Sequence, residues 1–377
     1  MSQALYIMVG GFLGAGKSTA LAKLAERMSN AGQQVGLITN DQGRGLVDTQ
    51  TLRSRGFSVE EIPGGCFCCR FNSLVTAAEN LTAATRPDVF LAEPVGSCTD
   101  LVASVSYPLR RMYGDDYRIA PLSVLVDPTR ALRVLGLAEG RRFSSKVQYI
   151  YEKQLEEAEV IVINKCDLLD DATGKQLRET LQAKFPNAQL FEVSARDGTG
   201  LDGWFDHITT YEMASGSAMA VDYRVYGEGE ALLGWVNSTL RVSSAQEFEG
   251  NEWLAHLMEA VQKRLPDVVT DIAHLKMTLT PDGGLGDIAT MNLVRQDYIP
   301  ELSQRLADPL RSGELLVNLR AEAPPEELRA ALEAALEEVG RSHGLKIITE
   351  HMESFRPGQP TPTHRMESSE PLEEPAE

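Results

Sequence analysis

The sequence predicts an α/β fold: a P-loop, doubly wound, mainly parallel sheet, followed by a smaller α+β domain and a disordered acidic tail. Three observations predict it. Leu5, Ile7 and Val9 form a strand-length apolar run that gives way to a glycine-rich turn and then to a helical pattern from Thr19, the context of a phosphate-binding loop. Apolar runs of strand length then alternate with helical stretches to about residue 212, as in a doubly wound sheet. Beyond Ala214-Ser-Gly-Ser-Ala the pattern changes to alternating runs joined by turns and interleaved with helices, which suits an antiparallel sheet backed by helices.

In the first turn, Gly11, Gly16, Lys17 and Ser18 fit the spacing G-x-x-x-x-G-K-[ST]. Glycine lets the backbone curl until several N–H groups point at a phosphate, and the following helix N-terminus adds partial positive charge. Lys17 then reaches the outer phosphates and the Ser18 hydroxyl can ligate Mg²⁺. Gly14, Ala15, Gly16, Lys17, Ser18 and Thr19 are the expected phosphate contacts. Residues 35–39 read as a second strand. They lead into residues 40–48, a polar, glycine-punctuated loop in the place of a γ-phosphate switch, with Asp41 and Asp48 as its acidic groups.

Residues 57–62 are the next strand, and Pro63-Gly-Gly turns the chain into Cys66-Phe-Cys-Cys69. Thiolates there suit a soft or borderline ion such as Zn²⁺. In an extended segment Cys68 and Cys69 diverge, so at least one ligand must come from elsewhere, Asp41 or a water being the group that completes the set. The alternative is inert buried cysteine. Residues 88–93 form a buried strand ending in a carboxylate. Glu93 is the candidate Mg²⁺-side partner, and Gly96 the backbone donor to a γ-phosphate; the alternative is that Glu93 caps the next helix. Residues 119–126 read as one more apolar strand.

Residues 160–163 run into Asn164-Lys-Cys-Asp167. A carboxylate at Asp167 accepts from guanine N1–H and N2–H₂, a donor pair that adenine lacks. Lys165 would lay its stem on the ring, and Asn164 would tie the loop back to the P-loop. The strand ending Phe191-Glu-Val-Ser-Ala195 brings Ser194 and the Ala195 N–H toward guanine O6. In the second unit Trp253, Leu257, Val261 and Leu265 share a helical face, and residues 274–279 alternate as a half-buried strand. A turn at Pro281-Asp-Gly-Gly leads to residues 288–294, and Leu315, Val317 and Leu319 alternate again. Pro325 opens a helix with Leu328, Leu332 and Leu336 inward, and residues 345–349 close the unit. The expected domains are 1–213, 214–355 and a Pro/Glu-rich tail, 356–377.

The formal charge of −18 over 377 residues argues against a diffuse basic nucleic-acid surface. No stretch reaches membrane-spanning length, and the start of the chain passes straight into a strand. The expected setting is the cytoplasm, with no nucleic-acid or membrane partner. Of five cysteines, three sit within four residues, which is a poor disulfide framework and a better metal site.

Taken in order, these motifs resemble the CobW-type metallochaperone GTPases, relatives of HypB and UreG, over about the first 200 residues. The residues that carry the likeness are Gly11-Phe-Leu-Gly-Ala-Gly-Lys-Ser-Thr19, Asn40-Asp-Gln-Gly with Asp48, Gly65-Cys-Phe-Cys-Cys69, Glu93-Pro-Val-Gly96 and Asn164-Lys-Cys-Asp167. Asp41 stands where members usually carry glutamate, and the histidine-rich run of many members is absent. The resemblance implies GTP hydrolysis with Mg²⁺, with Lys17, Asp41 and Glu93 in the catalytic centre. It also implies delivery of zinc or cobalt from Cys66, Cys68 and Cys69 to a client metalloprotein, and a homodimer is a further expectation. Two rival readings differ in class. A P-loop kinase leaves residues 164–167 and the cysteines unexplained. A nucleotide-gated protein-binding module, or a reactivation partner of a corrinoid enzyme, would use the cysteines for structural zinc.

Overall fold

The structure, a computed structural model, describes residues 3–43, 47–265, 270–283 and 287–368. Its first part runs β1 (Ala4–Gly11), α1 (Lys17–Asn30), β2 (Val35–Asn40), α2 (Val47–Ser54), β3 (Ser58–Ile62), α3 (Phe71–Thr85), β4 (Val89–Glu93), α4 (Tyr107–Tyr113), β5 (Tyr117–Ile119), β6 (Ser123–Val126), α5 (Pro128–Val134), α6 (Ser145–Glu156), β7 (Val160–Ile163), α7 (Asp171–Lys184), β8 (Gln189–Glu192) and α8 (Leu201–Thr210). The second runs α9 (Tyr223–Glu230), β9 (Leu233–Phe248), α10 (Gly250–Arg264), β10 (Ile272–Pro281), β11 (Ala289–Leu293), β12 (Glu301–Gln304), β13 (Leu310–Glu322), α11 (Pro325–Ser342) and β14 (Lys346–Phe355).

The first sheet has the order β3-β2-β4-β1-β6-β7-β8, with β5 also on β1, and its pairings are parallel. Parallel strands covered by helices on both faces need apolar residues at every position, and β1 shows how they are divided. Leu5, Ile7 and Val9 join the core under α1 and α8, with Leu21, Leu24 and Trp204. Tyr6 and Met8 turn to the other face, with Phe71 and Leu74 of α3 and Val147 and Tyr151 of α6. The apolar run expected as one strand over 119–126 is split into β5 and β6, and Pro121, which has no N–H for a ladder, lies between them.

The second sheet is antiparallel, ordered β12-β11-β10-β13-β9-β14. Period-two alternation gives it two unlike faces. Leu275, Met277 and Leu279 of β10 and Leu315, Val317 and Leu319 of β13 pack with Trp253, Leu257 and Val261 of α10 and Leu328, Leu332 and Leu336 of α11. The intervening residues face the first sheet's loops. Lys276 reaches both carboxylate oxygens of Asp48 at 2.6 Å, Arg320 reaches Asp41 Oδ2 at 2.9 Å, and Asn318 Oδ1 accepts from the Val47 N–H at 3.0 Å.

Several features depart from the reading of the sequence. Asp48 lies in the first turn of α2 rather than in a loop, while residues 44–46 of the expected switch lie outside the described residues. The 16-residue strand β9, central to the second sheet, was not anticipated. Nor was α9, which packs against α6 of the first part. Residues 356–368, expected within the disordered tail, are hydrogen-bonded to the first part, with Met366 N–H on Ala103 O at 2.9 Å and Arg365 Nε on Asp100 at 2.8 Å. Residues 369–377 lie outside the described residues. Among the described residues, no helix is long and apolar enough to cross a membrane.

The contact between the two parts makes a stability prediction. Arg320 is fully buried, lies 4.0 Å from the Trp235 ring centroid and bonds both Asp41 and Asn237. Its removal strands a buried carboxylate, so Arg320→Ala should cost about 3 kcal/mol in urea unfolding. A loss below about 1 kcal/mol would mean that the pair behaves like an exposed one.

Candidate nucleotide pocket and thiol cluster

Between β1 and α1 the chain makes a left-handed turn at Gly16, with φ of 95°, where a side chain would be strained and would strike the Asn164 amide. That close approach sets the geometry of the P-loop. The Lys17 ammonium donates to Gly11 O at 2.8 Å. Burial pulls its pKa down, while Glu93 opposes that pull. The Ser18 hydroxyl donates to Glu93 Oε1 at 3.0 Å, and the other Glu93 oxygen is buried with no partner among the described residues. Burial, and then the charge of Asp48, push the Glu93 carboxyl up to about 7. Burial acts on Asp48 in the same direction, but the Lys276 ammonium outweighs it and holds Asp48 below the usual range.

The loop after β7 is tied to the P-loop by its first residue. Asn164 Nδ2 donates to Ala15 O at 2.8 Å and Oδ1 accepts from the Ala195 N–H at 3.0 Å. The N–H expected near guanine O6 is therefore spent on Asn164. Lys165, with φ of 57°, donates to Gly14 O and to Asp127 Oδ2, both at 2.8 Å. Asp167 stays partly exposed, 3.6 Å from Arg196. Ser194 is buried, its hydroxyl accepting from the Asp197 N–H at 3.4 Å.

Gly14, Gly16, Lys17, Ser18, Thr19, Asp41, Glu93, Gly96, Asn164, Lys165 and Ala195 line one cavity of about 390 Å³, a size suited to a small molecule. Asp167 and Ser194 are not among its lining residues. The second sheet contributes His274, Lys276 and Trp235 to the lining. Sequence reasoning missed these because the two strands that carry them are more than 200 residues from the P-loop and match no phosphate motif.

The cysteines converge rather than diverge. The N–H groups of Cys69 and Arg70 both donate to Cys66 O, at 3.1 and 2.9 Å, so the segment is a helical turn and not an extended one. Cys66 Sγ lies 2.8 Å from Cys68 Sγ and 3.2 Å from Cys69 Sγ, and Cys68 and Cys69 are 3.7 Å apart. All three sulfurs fall within 4.8 Å of one another. Hydrogen bonds from Cys68, Cys69 and Cys98 hold the Cys66 thiol well below its ordinary pKa. Asp41 is not part of this cluster: Arg320 holds its Oδ2, and its Oδ1 accepts from the Gln42 N–H at 2.5 Å. Its neighbour Asn40 is closer, donating to Ile62 O at 2.8 Å and to Gly65 O, the residue before Cys66, at 2.6 Å. The chain near the C-terminus crosses the cluster, with the Thr361 N–H on Cys69 Sγ at 3.2 Å and the Thr363 N–H on Cys68 O at 2.8 Å.

A P-loop in front of a doubly wound sheet, with a thiol triad following the next strand but one, defines a class of nucleotide-binding protein with a cysteine cluster that could hold a metal ion. Residues 5–192 match the CobW/HypB/UreG nucleotide-binding domain, and the chain belongs to that family. It is 28% identical over 198 residues to the zinc chaperone CobW of Sinorhizobium sp, covering 47% of this chain and 55% of the relative. It is 28% identical over 200 residues to the zinc chaperone YeiR of Escherichia coli (strain K12), covering 52% and 57%. The match thus spans little more than half the length of these curated relatives. Among solved structures, HypB from Helicobacter pylori in complex with nickel aligns with 56% of this chain and 89% of that chain, at 19% identity and a TM-score of 0.41.

The Asn164 side chain is buried and makes both of its bonds between the P-loop and the strand end after β8. Asn164→Ala leaves the Ala195 N–H and the Ala15 carbonyl unpaired, a cost of about 2 kcal/mol. Urea unfolding should register that loss, and titration with a fluorescent guanine nucleotide should show weaker binding. Unchanged values in both would contradict the bracing role.

Proposed function

We propose that the protein is a GTP-hydrolysing metallochaperone that carries zinc, or else cobalt, on Cys66, Cys68 and Cys69 and yields it to a client metalloprotein according to nucleotide state. The observation that carries this reading is the sulfur triad, whose preceding residue is hydrogen-bonded by Asn40 at the end of β2. The same strand leads into the residues expected to sense the γ-phosphate. A metal site and a phosphate site thus share one short piece of backbone.

The nucleotide side of the proposal uses Gly14, Ala15, Gly16, Lys17, Ser18 and Thr19 for the phosphates, Gly96 for the γ-phosphate, and Asn164, Lys165, Asp167, Ser194 and Ala195 around the base. An acidic group with an unpartnered buried oxygen and a hydroxyl 3.0 Å away fit a hard divalent ion. Ser18 and Glu93 would hold Mg²⁺, which supplies charge neutralisation on the β- and γ-phosphates. Lys17 adds its charge once it exchanges Gly11 O for phosphate oxygen. Asp41, released from Arg320, would act on the γ-phosphate side.

The test takes the two halves together. The unmodified protein should bind GTP in preference to ATP and hold one zinc ion per chain. Asp167→Asn should weaken GTP binding and turn preference toward xanthine nucleotides, where oxygen replaces the N2 donor. Cys66→Ala should lose the zinc while still binding GTP. Equal affinity for ATP and GTP would overturn the guanine assignment, and zinc retained by Cys66→Ala would overturn the carrier site.

A further inference from the structure

We propose that residues 361–366 form a strap over the thiol triad, and that the cargo ion enters and leaves only when the strap lifts. The inference rests on the carrier reading above and adds a gate to that same site. It starts from which sulfur is reachable. Cys66 and Cys68 are each 1% exposed, whereas Cys69 is half-buried. Solvent therefore meets the triad at Cys69, and the strap lies against that residue.

The sequence of the strap explains how it lies there. In Gln359-Pro-Thr-Pro-Thr-His364 the alternate prolines bar helix and favour an extended chain. Pro362 has no N–H, and residues two apart in an extended chain face the same way. The Thr361 and Thr363 amides are thus left to point together at the cluster. The Thr361 N–H donates to Cys69 Sγ at 3.2 Å, and the Thr363 N–H to Cys68 O at 2.8 Å. The Thr363 hydroxyl adds a bond to Cys69 O at 3.2 Å.

The ends of the segment are held more firmly than its middle. Upstream, Arg356 follows β14 and donates to Ala231 O at 2.5 Å. Downstream, His364 stands edge-on to Phe71 of α3, with ring centroids 5.0 Å apart, and the Met366 N–H bonds Ala103 O at 2.9 Å. Arg365 Nε meets Asp100 Oδ2 at 2.8 Å, and the Tyr223 hydroxyl donates to the same oxygen at 2.6 Å. Asp100 is buried, so taking Arg365 away from it is costly. The bonds of Thr361 and Thr363 to Cys69 are exposed and exchange for water at little net cost. The part over the sulfurs can therefore lift, and the Arg365 anchor sets how often it does. Each of these contacts joins protein to protein, so the strap can close the empty site as well as the loaded one.

In the zinc-loaded full chain, Arg365→Ala should speed zinc transfer to excess chromogenic chelator by at least about tenfold, and zinc uptake by the metal-free chain by a similar factor. Zinc affinity should then move by less than about threefold, which separates a lifted gate from a lost ligand. Pro362→Gly keeps every anchoring side chain and loosens only the backbone, so both rates should rise by about threefold. Circular dichroism checks each fold, and Pro362→Gly carries the test if Arg365→Ala does not fold. Unchanged rates, or faster release with unchanged uptake, would overturn the strap and leave the carrier standing. Failure of the unmodified protein to bind zinc stoichiometrically would overturn both.

Discussion

A carboxylate withdrawn from water needs a cation beside it, and in this protein the cations for Asp41 and Asp48 stand on a different sheet. Arg320 and Lys276 project from the polar face of the antiparallel sheet onto the two acidic groups of the loop that the sequence marks as a γ-phosphate switch. The arrangement ties Asp41 and Asp48 to the docking of the second sheet. Any ligand that draws Asp41 or Asp48 toward phosphate or metal must exchange an existing ion pair for a new one. Removing one partner of such a pair is expensive, so exchange between pairs is the route open to the protein.

The same constraint explains the composition of the pocket. Lys17 and Lys276 bring positive charge to a cavity that Glu93 and Asp48 would otherwise make acidic. The chain as a whole carries −18, so a nucleotide polyphosphate would be attracted only by such local groups. Asp127 does similar work on the base side. Despite burial it is held well below the usual carboxylate range by Lys165 and Arg295, and thereby joins the loop after β7 to the second sheet.

The parts legible in the sequence are those fixed by local backbone geometry. A P-loop must be short, glycine-rich and followed by a helix, so Gly16, Lys17 and Ser18 could be read directly, and Asn164 could be placed against the P-loop from its motif. The helical faces of α10 and α11 were legible from spacing alone. Contacts made across long sequence separations were not. Arg320 is 279 residues from Asp41, and nothing in the neighbourhood of either announces the other. The strand β9 escaped because its first six residues are buried on both faces while its end is exposed, which spoils simple alternation. The Pro/Thr-rich stretch near residue 361 looked like tail. The helical turn at Cys66 mattered most: read as extended chain it separates the sulfurs, and folded as a turn it gathers them.

The central claim is that metal and nucleotide sites are one coupled unit, joined through Asn40 and Gly65. Zinc affinity measured by competition with a chromogenic chelator, once with a non-hydrolysable GTP analogue bound and once with GDP bound, tests it directly. The account predicts affinities that differ by at least about tenfold, with zinc changing the relative affinities for the two nucleotides by the same factor. Equal zinc affinity in the two nucleotide states would contradict it.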